Sequence, residues 1–138
     1  MIYAVIDTNV LVSSLLSRHS DSGTVVVMDY ILSRKVTPLY NDEIIQEYTE
    51  VLRRTKFGLP GNLVDAIVDT IKAIGLSMDR TATNETLPDP KDLIFYEVAL
   101  SKEDGWLVTG NKRHFPKSPI VVTPSEFLAI VGTLKQPI

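Results

Sequence analysis

Short apolar runs rich in β-forming residues alternate with stretches of helical spacing along this chain, and that alternation narrows its fold most. Ile2 to Ile6 reads as a strand buried on both faces. Val36 to Tyr40 reads as a second strand, with Pro38 the one residue a central strand resists. Leu76 to Met78, Gly105 to Thr109 and Ile120 to Val122 follow as further strands. Between them lie helical stretches at Val10 to Leu16, Thr24 to Ser33, Asp42 to about Arg54, Asn62 to Ile74 and Lys91 to Ser101, and a last one opens near Pro124. Strands separated by helices imply a mainly parallel sheet with helices on both faces. The expected fold class is α/β, a three-layer α/β/α sandwich around roughly four to five strands.

Local signals set the ends of these elements. Asn41 is a good N-cap for the helix that follows it, Gly75 suits a C-cap, and Pro124 suits the first helical position. Val25-Val26-Val27 leaves the second helix open to a strand reading. Asp79 to Pro90 is polar and proline-bearing, which predicts a loop. The tail from Lys135 is expected to be loose. At ~150 residues per domain, residues 1–138 make a single domain, with no internal repeat or linker to divide it.

Composition excludes several classes of chemistry. Without cysteine there is no disulfide scaffold, thiolate metal site or Cys nucleophile. His19 and His114 alone leave little for a histidine-based metal site. A net charge of −3 argues against a strongly basic nucleic-acid coat protein, yet suits an enzyme that concentrates acid in one place. No apolar run approaches the ~18 residues a membrane span needs. The start meets Asp7 too early, and lacks the basic residues, for a signal peptide. A soluble, cytoplasmic protein with no membrane partner is the expectation.

Ligands of open α/β sheets bind beyond the carboxyl ends of the strands. Asp7 stands there, directly after the first strand, and Asn111 stands just past the strand ending at Thr109. Asp89-Pro90-Lys91-Asp92 opens a helix expected to start at the same edge. In the helix after Asn41, Ile44, Ile45, Tyr48, Val51 and Leu52 form the core stripe. At about 100° per residue, Glu47 lies roughly 100° from the centre of that stripe, whereas Glu43 and Glu50 point further out. Each residue also has a plainer reading. Asp7 and Asp89 suit N-caps, with Pro90 and Asp92 then in the first helical turn; Glu47 suits a solvated edge and Asn111 a turn. Oxygen-bearing side chains from four separate segments converging on one sheet edge would repel, and a hard divalent cation is the usual remedy.

These residues resemble the PIN domain, and within it the VapC-like toxin branch of short prokaryotic proteins. The matching stretches are Val5-Ile6-Asp7-Thr8-Asn9-Val10-Leu11-Val12-Ser13, Glu43-Ile44-Ile45-Gln46-Glu47-Tyr48, Leu87-Pro88-Asp89-Pro90-Lys91-Asp92 and Trp106-Leu107-Val108-Thr109-Gly110-Asn111-Lys112. The resemblance covers nearly the whole chain. It implies a metal-dependent ribonuclease whose acidic site maps to Asp7, Glu47 and Asp92, with Asn111 at a fourth position that is often Asp. Those three acids would hold Mg²⁺ or Mn²⁺, and Thr8, Asn9, Thr109 and Asp89 would support them. The amide of Asn111 weakens the case for a permanently held second ion; Asp89 ranks ahead of Asp104 as a substitute acid.

The implied reaction is hydrolysis of RNA phosphodiesters to 5′-phosphate and 3′-hydroxyl ends. The candidate phosphate contacts are Arg53, Arg54 and Lys56 at the end of the Glu47 helix and, better placed beside Asn111, Lys112, Arg113 and His114. The resemblance also implies a small antitoxin as partner and a homodimer, with apolar residues at Thr24 to Leu32 and Phe127 to Leu134 to spare. Two alternatives compete. One is a PIN module with an incomplete site that binds RNA or protein. The other is a haloacid-dehalogenase-like phosphatase, which needs an acidic pair after a late strand where this chain has Asn111 and Lys112.

Overall fold

The computed structural model describes residues 1–134; the tail from Lys135 lies outside the described residues. In chain order the elements are β1 (Tyr3–Ile6), α1 (Thr8–Leu16), α2 (Gly23–Leu32), β2 (Thr37–Tyr40), α3 (Asp42–Leu52), α4 (Gly61–Ile74), β3 (Leu76–Ser77), α5 (Asp92–Leu100), β4 (Gly105–Val108), β5 (Val121–Val122) and α6 (Pro124–Leu134). Short 3₁₀ turns sit at Thr55–Phe57 and Lys112–His114. The sheet is five-stranded and wholly parallel, in the order β3-β2-β1-β4-β5, and its helices complete an α/β/α sandwich.

Buried apolar side chains explain the central strands. Ala4, Val5 and Ile6 of β1 and Leu107 and Val108 of β4 are shut from solvent, as strands covered on both faces must be. Pro38 is tolerated in β2 for a local reason. Thr37 N–H bonds to the Ile2 carbonyl on the β1 side, so the missing N–H of Pro38 faces β3. There the pairing begins only at Leu39 opposite Leu76, and no ladder bond is lost.

Helix α2 resolves the valine ambiguity in favour of helix: Val27, Met28 and Ile31 are buried and the element packs against α1 and α6. Asn41 caps α3, its side chain accepting from the Ile44 N–H at 2.9 Å. Thr123 and Glu126 form a reciprocal capping box at the start of α6, with bonds of 2.9 and 3.1 Å. Gly75 ends α4 in an extended conformation rather than a left-handed one. Its role is close approach: a Cβ there would lie 2.6 Å from the carbonyl oxygens of both Ile71 and Pro38.

The order of strands decides where a ligand can sit. The chain steps from β1 to β2 to β3 on one side, then crosses back through α5 to place β4 on the other side of β1. The sheet's switch point therefore lies between β1 and β4, and a crevice opens beyond their carboxyl ends. Asp7 and Thr109 are the first residues past those two strands.

Candidate active site

Asp7 is held on both sides of the switch point. Its backbone N–H bonds to the Val108 carbonyl at 2.9 Å, extending the β1–β4 pairing by one residue. It occupies the N-cap position of α1, which begins at Thr8 rather than Val10, but its carboxylate makes no capping bond. That carboxylate instead accepts from the buried Thr109 hydroxyl at 2.7 Å, and the same hydroxyl accepts from the Asn111 N–H at 3.0 Å. A residue that suits a cap by sequence is thus committed to a partner from the other side of the switch.

Asp7 opens into a cavity of about 370 Å³ whose lining also includes Glu47, Asp89 and Asp92. Helix α3 supplies Glu47, which is half-buried, while Glu43 and Glu50 on the same helix are exposed. Under it, Tyr48 donates its hydroxyl to the Ile6 carbonyl and packs on Phe95 with ring centroids 6.2 Å apart. This buried pair ties α3 and α5 to the end of β1, and Phe95 forms part of the cavity wall. Asp92 opens α5, one residue after Lys91 in the N-cap position. Asp89 is not that cap: its carboxylate accepts from the Lys91 N–H at 3.0 Å and its carbonyl from the Asp92 N–H at 3.0 Å, in the turn before the helix.

The acids perturb one another. Burial pushes the Asp7 carboxyl above its ordinary value; the Thr109 hydroxyl and Thr8 N–H oppose this, and Glu47 adds a smaller push. Asp92 is raised to about 6, first by burial and then by the charges of Asp7 and Asp89, with His114 pulling the other way. Tyr48 is raised as well, by burial and by the nearby Asp7 charge, so it stays a neutral donor.

The donor set suits a hard divalent cation. It is built of oxygens. Thr8 Oγ1 and Asn9 Oδ1, both buried at this site, have no hydrogen-bond partner among the described residues. A buried polar atom left so costs ~1–3 kcal/mol, and positive charge in the cavity would offset that and the repulsion among the acids. Among the described residues, no three acidic or histidine side chains close on one point, so the acids share a cavity rather than a preformed cage.

A PIN domain family model matches residues 3–113, a span that holds all of these acids. The chain belongs to the PIN domain family. No curated protein matches it. PIN domains are generally nucleases, hydrolases of phosphodiester bonds, and generally use divalent metal ions.

Other candidates in this PIN domain fall outside the cavity wall. Asn111 reaches the site through its backbone N–H to Thr109. Lys112 is paired with Glu126 at 3.1 Å. Arg113 and Lys117 line an adjoining cleft beside Phe115 and carry no ion pair among the described residues. Arg54 precedes the 3₁₀ turn whose Phe57 lines the acidic cavity, while its neighbour Arg53 is tied to Asp65.

Sequence reasoning missed one feature of this PIN domain, a strap on the predicted loop. Glu97, buried on α5, accepts from Arg80 Nε at 2.8 Å, from the Thr83 N–H at 2.7 Å and from the Thr83 hydroxyl at 3.0 Å. Arg80 also reaches Glu43 of α3 at 3.1 Å. With buried Leu87, this network anchors the segment that delivers Asp89 and Asp92. The signal was available: Glu97 is a charge inside the apolar helix Asp-Leu-Ile-Phe-Tyr-Glu-Val-Ala-Leu. His114, a candidate phosphate contact by sequence, lines the acidic cavity itself.

Proposed function

We propose that this PIN domain is a metal-dependent endoribonuclease and the toxin of a toxin–antitoxin pair. The observation that carries the nuclease reading is the cavity at the switch point, whose lining Asp7, Glu47, Asp89 and Asp92 share and where Asp92 is pushed up to about 6. Asp7, Glu47 and Asp92 hold Mg²⁺ or Mn²⁺ in this reading. Thr8 and Asn9 bring buried oxygens to the same place, Thr109 fixes the Asp7 carboxylate, and Asn111 orders Thr109. A divalent ion there supplies Lewis-acid chemistry, lowering the pKa of water and neutralising phosphate charge.

The chain's own residues do the rest. The Thr109 hydroxyl holds one Asp7 oxygen in place, so that carboxylate presents a defined edge to the cavity. Phe57, Val51 and Phe95 give the cavity apolar walls beside its acids. Arg113 and Lys117 offer positive charge to the RNA backbone beside the acidic pit, and Arg54 does so near the Phe57 turn. Lys112 joins them when RNA competes with Glu126.

The toxin role, the antitoxin, pairing of two copies and a cytoplasmic location rest on the VapC-like resemblance. Val27, Ile31, Phe127 and Val131 are core, so the apolar surplus of α2 and α6 is mostly spent inside the fold. An apolar cleft of about 350 Å³ stays open between α1, α2 and α4, bordered by Leu32 and Leu63, and Ile130 and Leu134 of α6 line a second one with Trp106. No helix among the described residues is long and apolar enough to cross a membrane.

The test is cleavage of single-stranded RNA by purified protein in Mn²⁺, Mg²⁺ or EDTA. Cleavage is expected only with metal, and is expected to vanish in Asp7→Asn and Asp92→Asn proteins whose circular dichroism is unchanged. Cleavage that survives either substitution overturns the reading. Expression of the chain alone is expected to slow growth, and Asp7→Asn to relieve it.

A further inference from the structure

We infer that His114 is a substrate-contacting residue of this site, donating a ring N–H to an oxygen of the RNA phosphate at the point of cleavage. The inference rests on the nuclease reading and adds a residue to it.

The lining of the acidic cavity poses a charge problem. It carries the carboxylates of Asp7, Glu47, Asp89 and Asp92, and a phosphodiester entering it brings another negative charge. One bound divalent ion offsets only part of that total. Among the described residues of the lining, His114 is the only side chain with a basic nitrogen. Arg113, Lys112 and Lys117 belong to the neighbouring cleft and do not reach this wall.

The position of His114 is set by backbone and packing. It closes the 3₁₀ turn Lys112–His114, with its N–H bonded to the Asn111 carbonyl at 3.0 Å. The next residue, Phe115, is buried and anchors the turn to the core. The imidazole is thereby placed at the mouth of the cavity with its side chain 44% exposed. Its Nδ1 stands 3.9 Å from Asp92 Oδ2, beyond hydrogen-bond range, so the ring's donor capacity is not consumed by that acid. Imidazole presents at least one N–H in either protonation state. His114 therefore combines access, fixed placement and a free donor, next to the acid that opens α5.

The same turn joins the two cavities. His114 faces the acidic pit, and Arg113 and Lys117 face the basic cleft beside it. An RNA strand bound along the turn would meet His114 at the reacting phosphate and the two cations at phosphates further along.

The experiment compares wild type, His114→Ala and His114→Gln, the last retaining an N–H donor. Binding of a short fluorescein-labelled single-stranded RNA is followed by anisotropy in Ca²⁺. Cleavage is followed in Mn²⁺, and Mn²⁺ affinity is measured by calorimetry without RNA. Asp92→Asn serves as the control for the nuclease reading. Losing a charge-assisted hydrogen bond predicts roughly 10- to 100-fold weaker RNA binding and a matching loss in kcat/KM for His114→Ala. His114→Gln is expected to recover most of both, and Mn²⁺ affinity to stay unchanged in both variants. RNA affinity and kcat/KM equal to wild type in His114→Ala overturn the inference, as does a loss of Mn²⁺ affinity, which would make His114 a metal ligand. If Asp92→Asn abolishes cleavage while His114→Ala cuts normally, the nuclease reading stands and His114 alone is refuted. If wild type neither binds nor cuts RNA with any metal, both fail together.

Discussion

Replacing Asp92 with Asn should make the metal-free protein more stable while removing its activity. The Asp92 carboxyl is raised from its ordinary 3.8 to about 6, so ionising it costs more in the folded state than in the unfolded chain. At ~1.4 kcal/mol per pKa unit, that difference corresponds to about 3 kcal/mol as an upper bound. Asp92 is partly open to solvent, its side chain 19% exposed, so counter-ions and water screen much of this. A discounted cost of roughly 1–2 kcal/mol is the working figure. Against it stands the favourable position of an acid in the first turn of α5, about 0.3–1 kcal/mol that Asn gives up. The net expectation is about 1 kcal/mol of added stability, or roughly 3–5 °C in Tm for a chain of this length.

The pH dependence follows from the sign of the shift. Below about 4 the carboxyl is protonated in both states and the two proteins should melt alike. Between about 4 and 6 the folded state holds the proton that the unfolded state has released, so wild-type stability falls as pH rises. Above about 6 the penalty is complete and the gap is constant. The assay is thermal melting in EDTA at low salt, from acid to neutral pH, followed by circular dichroism. Added Mn²⁺ should then reverse the ranking, because wild type gains binding energy that Asp92→Asn cannot. An Asp92→Asn protein that melts below wild type at neutral pH, or a gap that does not change with pH, would refute the idea that burial and neighbouring acids penalise the Asp92 charge.

Two further substitutions probe the supports. Thr109→Val removes the hydroxyl that donates to Asp7 and accepts from the Asn111 N–H; urea melts should show a loss of ~1–3 kcal/mol. Because that bond lowers the Asp7 pKa, the acid limb of the pH–rate profile should also move to higher pH, and an unmoved limb would argue against Asp7 as the titrating group. Glu97→Gln breaks the strap with Arg80 and should cost on the order of 3 kcal/mol, with faster proteolysis between Asp79 and Pro90. Arg80 and the Thr83 bonds hold the Glu97 carboxyl below its ordinary value despite burial, so this support is present at neutral pH and lost as pH falls through the acid range. A wild-type–Glu97→Gln gap that persists in acid would contradict that account.

Much of this site could be read in one dimension because its carriers are local. The apolar run ending at Asp7 sets an acid at a strand's carboxyl end, whatever the rest of the chain does. The stripe of Ile44, Tyr48 and Val51 sets the phase of α3, and so sets Glu47 at the edge of the buried face. Asn41 and the Thr123–Glu126 box start their helices through contacts three residues long. Such features depend on spacing along the chain, and spacing is what a sequence records.

Contacts across the switch point were not legible in this way. Thr109 meets Asp7 across 102 positions, and only the placement of β4 beside β1 brings them together. That same pairing turned Asp7 from a candidate cap into an acceptor for Thr109. Glu97 lies inside an apolar helix, and its partners Arg80 and Thr83 come from the loop that folds over it. Lys112, Arg113 and His114 are adjacent in sequence, yet one pairs with Glu126, one lines a basic cleft and one enters the acidic cavity. A tight turn sends neighbouring side chains in different directions, and what each one meets is supplied by elements far away in the chain. The chain's own order settled which residues could serve at the sheet's edge; the strand order β3-β2-β1-β4-β5 decided which of them share a cavity.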